Sequence, residues 1–166
     1  MKSVLPALAV AGLLVAAPVA SADDAGLFTA YNARQGEVDA AGAAYLRAVK
    51  RARRSGSRAA YRGVIRADRR INRVLTAIEG DLAAQTGSSE HGRNARVAGL
   101  REIRLWRRAN TIEIREIRAL MRGEEQRAAR LLKQANRTMR RCFRQGRIAV
   151  REFKAVGLTS PQGSIS

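Results

Sequence analysis

The chain has 166 residues, which is enough for one ordinary domain with a hydrophobic core. Its 32 lysines and arginines stand against 14 aspartates and glutamates, a net charge of +18, and all but four of the basic residues are arginine. The single cysteine, Cys142, excludes an internal disulfide framework.

The first 22 residues have the three parts of a secretory signal peptide. Lys2 gives a positive start, residues 4–19 form an apolar run, and "ASA" at 20–22 fits the small-x-small cleavage rule. The run is shorter than the ~20 residues of a membrane-spanning helix and is interrupted by Pro6 and Pro18. We therefore predict cleavage after Ala22 and a secreted, periplasmic or cell-envelope location; an uncleaved anchor is the alternative. Without Lys2, 31 basic and 14 acidic residues leave a net charge of +17.

Four helices are predicted in the mature domain, residues 23–157, because apolar residues recur at helical spacing and Gly/Ser clusters separate the segments. Their predicted spans are 23–54, 58–86, 93–122 and 124–157. The tail at 158–166 carries no pattern, so we expect it to be flexible. Short connections favour an all-α, antiparallel up-down-up-down four-helix bundle. The alternative is a pair of long helical hairpins that assemble as a dimer.

The first two helices each show one apolar face. In the first helix it consists of Leu27, Tyr31, Arg34, Val38, Ala41, Tyr45 and Ala48. In the second it consists of Tyr61, Val64, Asp68, Ile71, Leu75, Ile78 and Leu82. Asp68 is a carboxylate at a core position, and a buried carboxylate needs a partner. We predict an ion pair with an arginine there; a catalytic carboxylate is the alternative.

The third helix contains an internal repeat. "REIRLWRR" at 101–108 recurs 14 residues later as "REIRALMR" at 115–122. One face carries Leu100, Ile103, Trp106, Asn110, Ile114, Ile117 and Met121. A second, roughly opposite stripe consists of Leu105, Ala109 and Ile112. This second stripe either widens the core contact or forms the interface of a homodimer.

The fourth helix carries a heptad-like seam. Its members are Ala128, Leu132, Ala135, Met139, Cys142, Gly146, Ala149 and Phe153. Because Cys142 lies on this seam, a buried thiol is the favoured interpretation. A bridging or reactive thiol remains the alternative, since the neighbouring arginines would lower the pKa of an exposed thiol.

Basic residues concentrate near the first and third connections. In an antiparallel bundle both connections lie at one end, which we predict to be an arginine-rich pole that binds polyanions. Its residues are Lys50, Arg51, Arg53, Arg54, Arg58, Arg62, Arg115, Arg118, Arg122, Arg127 and Arg130. Arg58 and Arg62 oppose the dipole at the start of their helix, which favours a partner that supplies the anion.

Motifs for catalysis, metal binding and phosphate cradling are missing from the sequence. It contains no HExxH, CxxC or GxSxG motif and no glycine loop followed by Lys-Ser/Thr. The only histidine, His91, falls in a predicted loop, where a solvated side chain is the usual outcome. We therefore predict no catalytic residues, no metal site, no cofactor and no enzymatic activity.

These patterns favour an exported interaction protein. Its predicted partners are an anionic envelope or extracellular polymer, a lipid headgroup or an acidic protein, with binding that weakens as salt rises. An extracellular nucleic-acid binder is the second hypothesis, and a membrane-active helical protein is the third. An exported structural bundle without a specific ligand is a further alternative.

Overall fold

A computed structural model describes residues 21–159. Residues 1–20, which carry most of the predicted signal peptide, lie outside this range, as do residues 160–166 of the predicted tail. Ser21 and Ala22, the last two residues of the predicted signal peptide, belong to the start of the first helix. Leu158, at the start of the predicted tail, packs against the core.

The described part of the chain is all-helical and contains no β-strand, which confirms the all-α part of the predicted fold. The helices are α1 (Ala22–Asn32), α2 (Gln35–Ser55), α3 (Arg58–Ala83), α4 (Glu90–Met121) and α5 (Glu125–Ala155). The four long helices pack against one another: α3 contacts α2 and α4, and α4 makes its most extensive contact with α5. Among these five helices, none combines the length and the apolar composition needed to cross a bilayer.

The predicted first helix, 23–54, is two helices. The chain leaves helical geometry at Arg34, whose φ is −113° and ψ is 21°. The Arg34 guanidinium donates to Asp81 of α3 at 2.8 Å and to Glu37 at 3.0 Å. With the chain turned at this point, α1 packs against α3 and α4 and buries Leu27 completely. The ion pair between Arg34 and Asp81 connects this turn to α3, and Gly36 lies two residues further along the chain.

Serine and glycine residues define the helix ends. Ser21, Ser57 and Ser89 each accept a hydrogen bond from a backbone N–H in the first turn of the helix that follows. Gly56, after α2, and Gly123, after α4, adopt positive φ values of 58° and 76°, which glycine tolerates best. The predicted breaks at 54–57 and around Gly123 are confirmed. The third break lies three residues earlier than the predicted spans place it, because α3 ends at Ala83 and α4 begins at Glu90.

The predicted core faces of α3 and α4 are confirmed. All members of the α3 face after Tyr61 are buried, and Tyr61 is partly buried. In α4, Trp106 is partly buried against the main core cluster. The buried amide of Asn110 donates to the Asn72 side chain at 3.0 Å, so this polar group is satisfied.

Small residues of α5 pack against α4. The buried members of its predicted seam are Ala128, Ala135, Cys142, Gly146, Ala149 and Phe153. The seam is wrong at two positions, since Leu132 is 46% exposed and Met139 is only partly buried. One residue earlier in each case, Thr138 is buried and Leu131 is partly buried. An α-helix drifts from a strict seven-residue repeat, so the buried line need not follow the heptad positions.

The second apolar stripe of α4 lies inside the single chain. Ala109 and Ile112 are buried, with exposed fractions of 2% and 4%, and Leu105 is partly buried. This arrangement agrees with the first of the two alternatives, in which the stripe widens the internal contact. Ala109 and Ile112 therefore have little surface to offer a second copy of the chain.

Replacing Gly146 with Ala should destabilise the fold. The new Cβ would meet the Glu102 carboxyl group, which is held in place by the Tyr31 hydroxyl. We expect a loss of about 1–3 kcal/mol in the free energy of unfolding, measured by urea titration with far-UV circular dichroism. The control is Gly80→Ala in α3, where a Cβ has open space, and a gain of about 0.5–1 kcal/mol is expected. Equal effects at the two sites would contradict the close-packing interpretation.

Candidate anion-binding groove

An open groove of about 490 Å³ lies between α4 and α5. Its lining residues are Arg101, Arg104, Leu105 and Arg108 from α4 and Arg141, Arg144 and Gln145 from α5. Five of these seven side chains are arginine and none is a carboxylate. The five arginines are exposed, so the groove is a concentrated positive surface in contact with solvent.

The spacing of the arginines along each helix explains the groove. Arg101, Arg104 and Arg108 follow steps of three and four, which places them on one face of α4. Arg141 and Arg144 are likewise three residues apart on α5. Small seam residues keep the two helices close, so both rows of arginines border the same groove.

Only one of the five groove arginines has a carboxylate partner within residues 21–159. Glu79 of α3 accepts from Arg104 at 2.7 Å and also from Arg107, which lies outside the groove. The hydrogen bond from Arg104 lowers the pKa of Glu79, and the bond from Arg107 adds to this against the opposing effect of burial. The remaining four have no carboxylate oxygen within 4.0 Å in this part of the chain. The groove therefore offers four arginines for an external anion.

The residues of the predicted pole are all exposed, but none of them lines the groove. Arg122 and Arg127 both pair with Glu124, and the other nine form no ion pair within residues 21–159. A smaller core cluster joins Ala52 of α2, next to the first connection, with Ile117 and partly buried Met121 of α4. The cluster thus places the end of α4 beside the segment that carries Lys50 to Arg62.

The sequence prediction missed the groove arginines, although the sequence contains a pattern that marks them. In α4, arginines recur every seven residues at Arg101, Arg108, Arg115 and Arg122. In α5 they recur in the same way at Arg130, Arg137, Arg144 and Arg151. An interval of seven keeps residues on nearly the same face of a helix. Each helix therefore carries a continuous row of arginines rather than a cluster at one end.

Several carboxylates lie in the interior instead of pairing with these arginines. Glu102 accepts a hydrogen bond from the Tyr31 hydroxyl, and Glu113 accepts one from the Tyr45 hydroxyl. Burial raises the pKa of both glutamates, although the tyrosine hydrogen bonds act in the opposite direction. Burial, and then the charge of Glu113, raises the pKa of Glu116 to about 7. Within residues 21–159, none of these three glutamates forms an ion pair with an arginine.

Asp68 is fully buried, and neither of its carboxyl oxygens has a hydrogen-bond partner. The predicted ion pair with an arginine is therefore wrong. Burial, and then the charges of Glu113 and Glu116, raises the pKa of Asp68 to about 8. The side chain thus keeps its proton at neutral pH, which is how an isolated carboxyl group avoids the cost of a buried charge. A carboxyl group without contact to solvent also argues against the catalytic alternative.

His91 lies in the first turn of α4 and not in a loop, although its side chain is exposed as predicted. Its Nδ1 and the Oε2 of Glu152 are 2.8 Å apart. This contact connects the start of α4 with the last turns of α5. Across residues 21–159, no group of three or more His, Cys, Asp or Glu side chains is arranged to hold a metal ion.

Cys142 is a buried thiol, which confirms the favoured interpretation. It is 1% exposed, and its Sγ donates to the backbone carbonyl of Glu102 at 3.5 Å. Burial, and then the charge of Glu102, raises the pKa of the thiol to about 12. Cys142 thus belongs to the contact between α4 and α5.

Replacing Asp68 with Asn should remove one source of pH dependence from stability. Between pH 4 and 8 the folded wild-type chain holds a proton at Asp68 that the unfolded chain releases, so its stability should fall as pH rises. The Asn side chain does not titrate, so the variant lacks this pH dependence. The free energy of unfolding of the variant minus that of the wild type should therefore rise with pH, by up to about 1.4 kcal/mol per pH unit across this window. Urea titrations at pH 5, 7 and 9 test this, and a constant difference between the two proteins would contradict it.

The buried thiol should be protected from reagents. We expect Cys142 to react with an aromatic disulfide reagent only as fast as the protein opens, because the thiolate is the reactive form and the native side chain is enclosed. In denaturant the same thiol should react at the rate of a free cysteine. A fast, stoichiometric reaction of the native protein would contradict the burial of Cys142.

A comparison of this chain with protein-family models, curated proteins and solved structures finds no match. Support for a function therefore comes from the arrangement of its own residues. The most distinctive arrangement is an exposed arginine groove with a single carboxylate neighbour.

Proposed function

We propose that this chain is an exported, non-enzymatic protein that binds phosphate-bearing polymers through the arginine surface of α4 and α5. The observation that carries the proposal is the groove, where four exposed arginines have no carboxylate partner within residues 21–159. Like charges placed together on a surface are unfavourable without a counter-ion. A bound polyanion would supply that counter-ion.

Phosphate is an anion that the arginines of this groove can bind through paired hydrogen bonds. The guanidinium group is planar and donates two parallel hydrogen bonds to phosphate oxygens, whereas lysine acts as a point charge. The lining of the groove contains five arginines and no lysine. Gln145 adds a neutral donor, and Leu105 gives an apolar surface on which the nonpolar part of a polymer can lie.

We further propose that α4 and α5 run antiparallel, as in an up-down-up-down bundle. Only residues 122–124 connect the two helices. Far from that connection, Cys142 contacts the carbonyl of Glu102, which supports a hairpin that folds back along its length. In such a hairpin the arginine rows continue from the groove towards Arg115 and Arg130. The groove and the predicted pole would then form one stripe, about 30 Å long over the 21 residues from 101 to 122.

Export is part of the proposal and depends on the signal-peptide pattern at residues 1–22. Outside the cell, anionic wall or surface polymers, free nucleic acid and acidic proteins are all available as partners. A guanidinium group forks onto phosphate and carboxylate oxygens alike, so the competition between polyphosphate and a polycarboxylate decides between phosphate-bearing polymers and acidic proteins.

The test compares three variants of the 23–166 chain, each with four arginines changed to Gln. The groove variant changes Arg101, Arg108, Arg141 and Arg144. The pole variant changes Arg51, Arg54, Arg58 and Arg62. The control variant changes Arg66, Arg69, Arg70 and Arg73, four exposed arginines of α3 that form no ion pair within residues 21–159. All three lose the same net charge.

We expect the groove variant to lose at least about tenfold more affinity for labelled polyphosphate than the control, because each lost phosphate contact costs affinity. Its slope of log Kd against log salt should fall by about one for each contact removed. Fluorescence anisotropy at several salt concentrations measures both, with duplex DNA and a polycarboxylate as competing ligands. Equal losses in the groove and control variants would show a generic charge effect and refute the proposed site. A preference for the polycarboxylate would refute the phosphate assignment.

A further inference from the structure

The outer surface of α5 carries an apolar stripe that the groove does not use. Its members are Leu132, Met139, Phe143 and Val150. Phe143 is 57% exposed, Leu132 46% and Val150 39%, and Met139 is partly exposed. Asn136, Met139, Arg140 and Phe143 border a shallow depression of about 310 Å³ on this surface. The stripe therefore includes a phenylalanine that the fold leaves largely in water.

The four members lie on one line of the helix. They are separated by seven, four and seven residues, so at 100° per residue they fall within about 40° of one another. The stripe extends over the 19 residues from 132 to 150, about 27 Å of helix. A line of exposed apolar side chains this long differs from the scattered single residues of an ordinary surface.

The charge around the stripe has a single sign. From Gln126 to Arg151 the sequence contains nine basic residues and no carboxylate. Arg140 and Arg147 lie within about 60° of Phe143 on the helix, and both are exposed. Neither forms an ion pair in the part of the chain that the structure describes. The apolar stripe is therefore bordered by free arginines on its solvent side.

We propose that this outer face of α5 docks on an anionic lipid surface. Phe143 and Leu132 enter the boundary between headgroups and acyl chains, while Arg140 and Arg147 contact lipid phosphates. An interfacial helix has this combination of a basic polar face with leucine and phenylalanine beside it. Membrane phosphates supply the negative charge that the region from Gln126 to Arg151 lacks.

A second copy of the chain is a poorer occupant of this surface. Each copy carries the same free arginines beside the stripe, so a symmetric contact would bring like charges together. The surface is also separate from the groove, because Arg140 and Arg147 are not among the groove residues. Lipid docking therefore goes beyond the proposed binding of soluble polymers and does not depend on it.

The experiment uses the 23–166 chain and sedimentation with vesicles of phosphatidylcholine alone or mixed with phosphatidylglycerol. We expect binding only to the mixed vesicles. The stripe variant Leu132→Gln/Phe143→Gln should bind them at least about tenfold more weakly, because two apolar side chains no longer enter the membrane. Its matched control is Leu46→Gln/Val97→Gln, which changes two apolar side chains that are 66% exposed on α2 and 44% exposed on α4.

Two further variants separate the stripe from the groove. Arg140→Gln/Arg147→Gln should weaken vesicle binding, whereas Arg101→Gln/Arg108→Gln should weaken polyphosphate binding and leave vesicle binding closer to wild type. Thermal unfolding checks that each variant is folded, which is expected because every changed side chain is exposed. Unchanged vesicle binding by the stripe variant, equal loss in the Leu46→Gln/Val97→Gln control, or no binding of the wild type to mixed vesicles would each overturn the proposal.

Discussion

The close contact between α4 and α5 is the constraint on which the surface of this protein depends. α5 presents alanine, cysteine and glycine to α4, and the carboxyl group of Glu102 occupies the space beside Gly146. Small seam residues allow two helix backbones to approach closely, so the next rows of side chains on each helix are neighbours as well. In this chain those rows are arginines. The small residues between the two helices thereby bring the arginine rows together in one positive groove on the surface.

The distribution of charge between interior and surface amplifies this effect. Twenty-five of the 28 arginines are exposed, whereas nine of the 14 carboxylates are buried or partly buried. Tyrosine hydroxyls, rather than arginines, satisfy Glu102 and Glu113. Asp68 has no partner, and burial raises its pKa to about 8. Within residues 21–159, five carboxylates that are buried or partly buried form no ion pair with an arginine: Asp24, Asp68, Glu102, Glu113 and Glu116. These five do not pair with the arginines of the surface.

α5 then carries two different surfaces on either side of its buried seam. One side borders the arginine groove, and the other presents the apolar stripe beside Arg140 and Arg147. The two surfaces suit different partners, because one offers only charge and hydrogen-bond donors and the other adds apolar side chains. A protein that holds a polymer on one side and a membrane on the other would be suited to an envelope location.

The sequence by itself determined the helices, most of their buried faces and most of their ends. Periodicity near 3.6 and the Gly/Ser breaks are local properties, so Gly56, Gly123 and the burial of Cys142 could be predicted without neighbours. Asp68 was correctly expected to be buried, but the absence of a partner depends on which side chains the other helices bring near it. The break at Arg34 was not predicted, and there the Arg34 side chain contacts Asp81, a residue 47 positions away.

Tertiary structure decided the remaining features. The sequence pattern of α5 is compatible with the burial of either Leu131 or Leu132, because the two leucines are adjacent. Which of them is the more buried depends on the rotation of α5 against α4. The groove likewise requires the rows containing Arg101 and Arg144 to meet across two helices. A periodic pattern fixes the face of a helix on which a residue lies, but the rotation and offset between helices come from packing. For that reason the sequence showed how much positive charge the chain carries, and only the fold showed where it is concentrated.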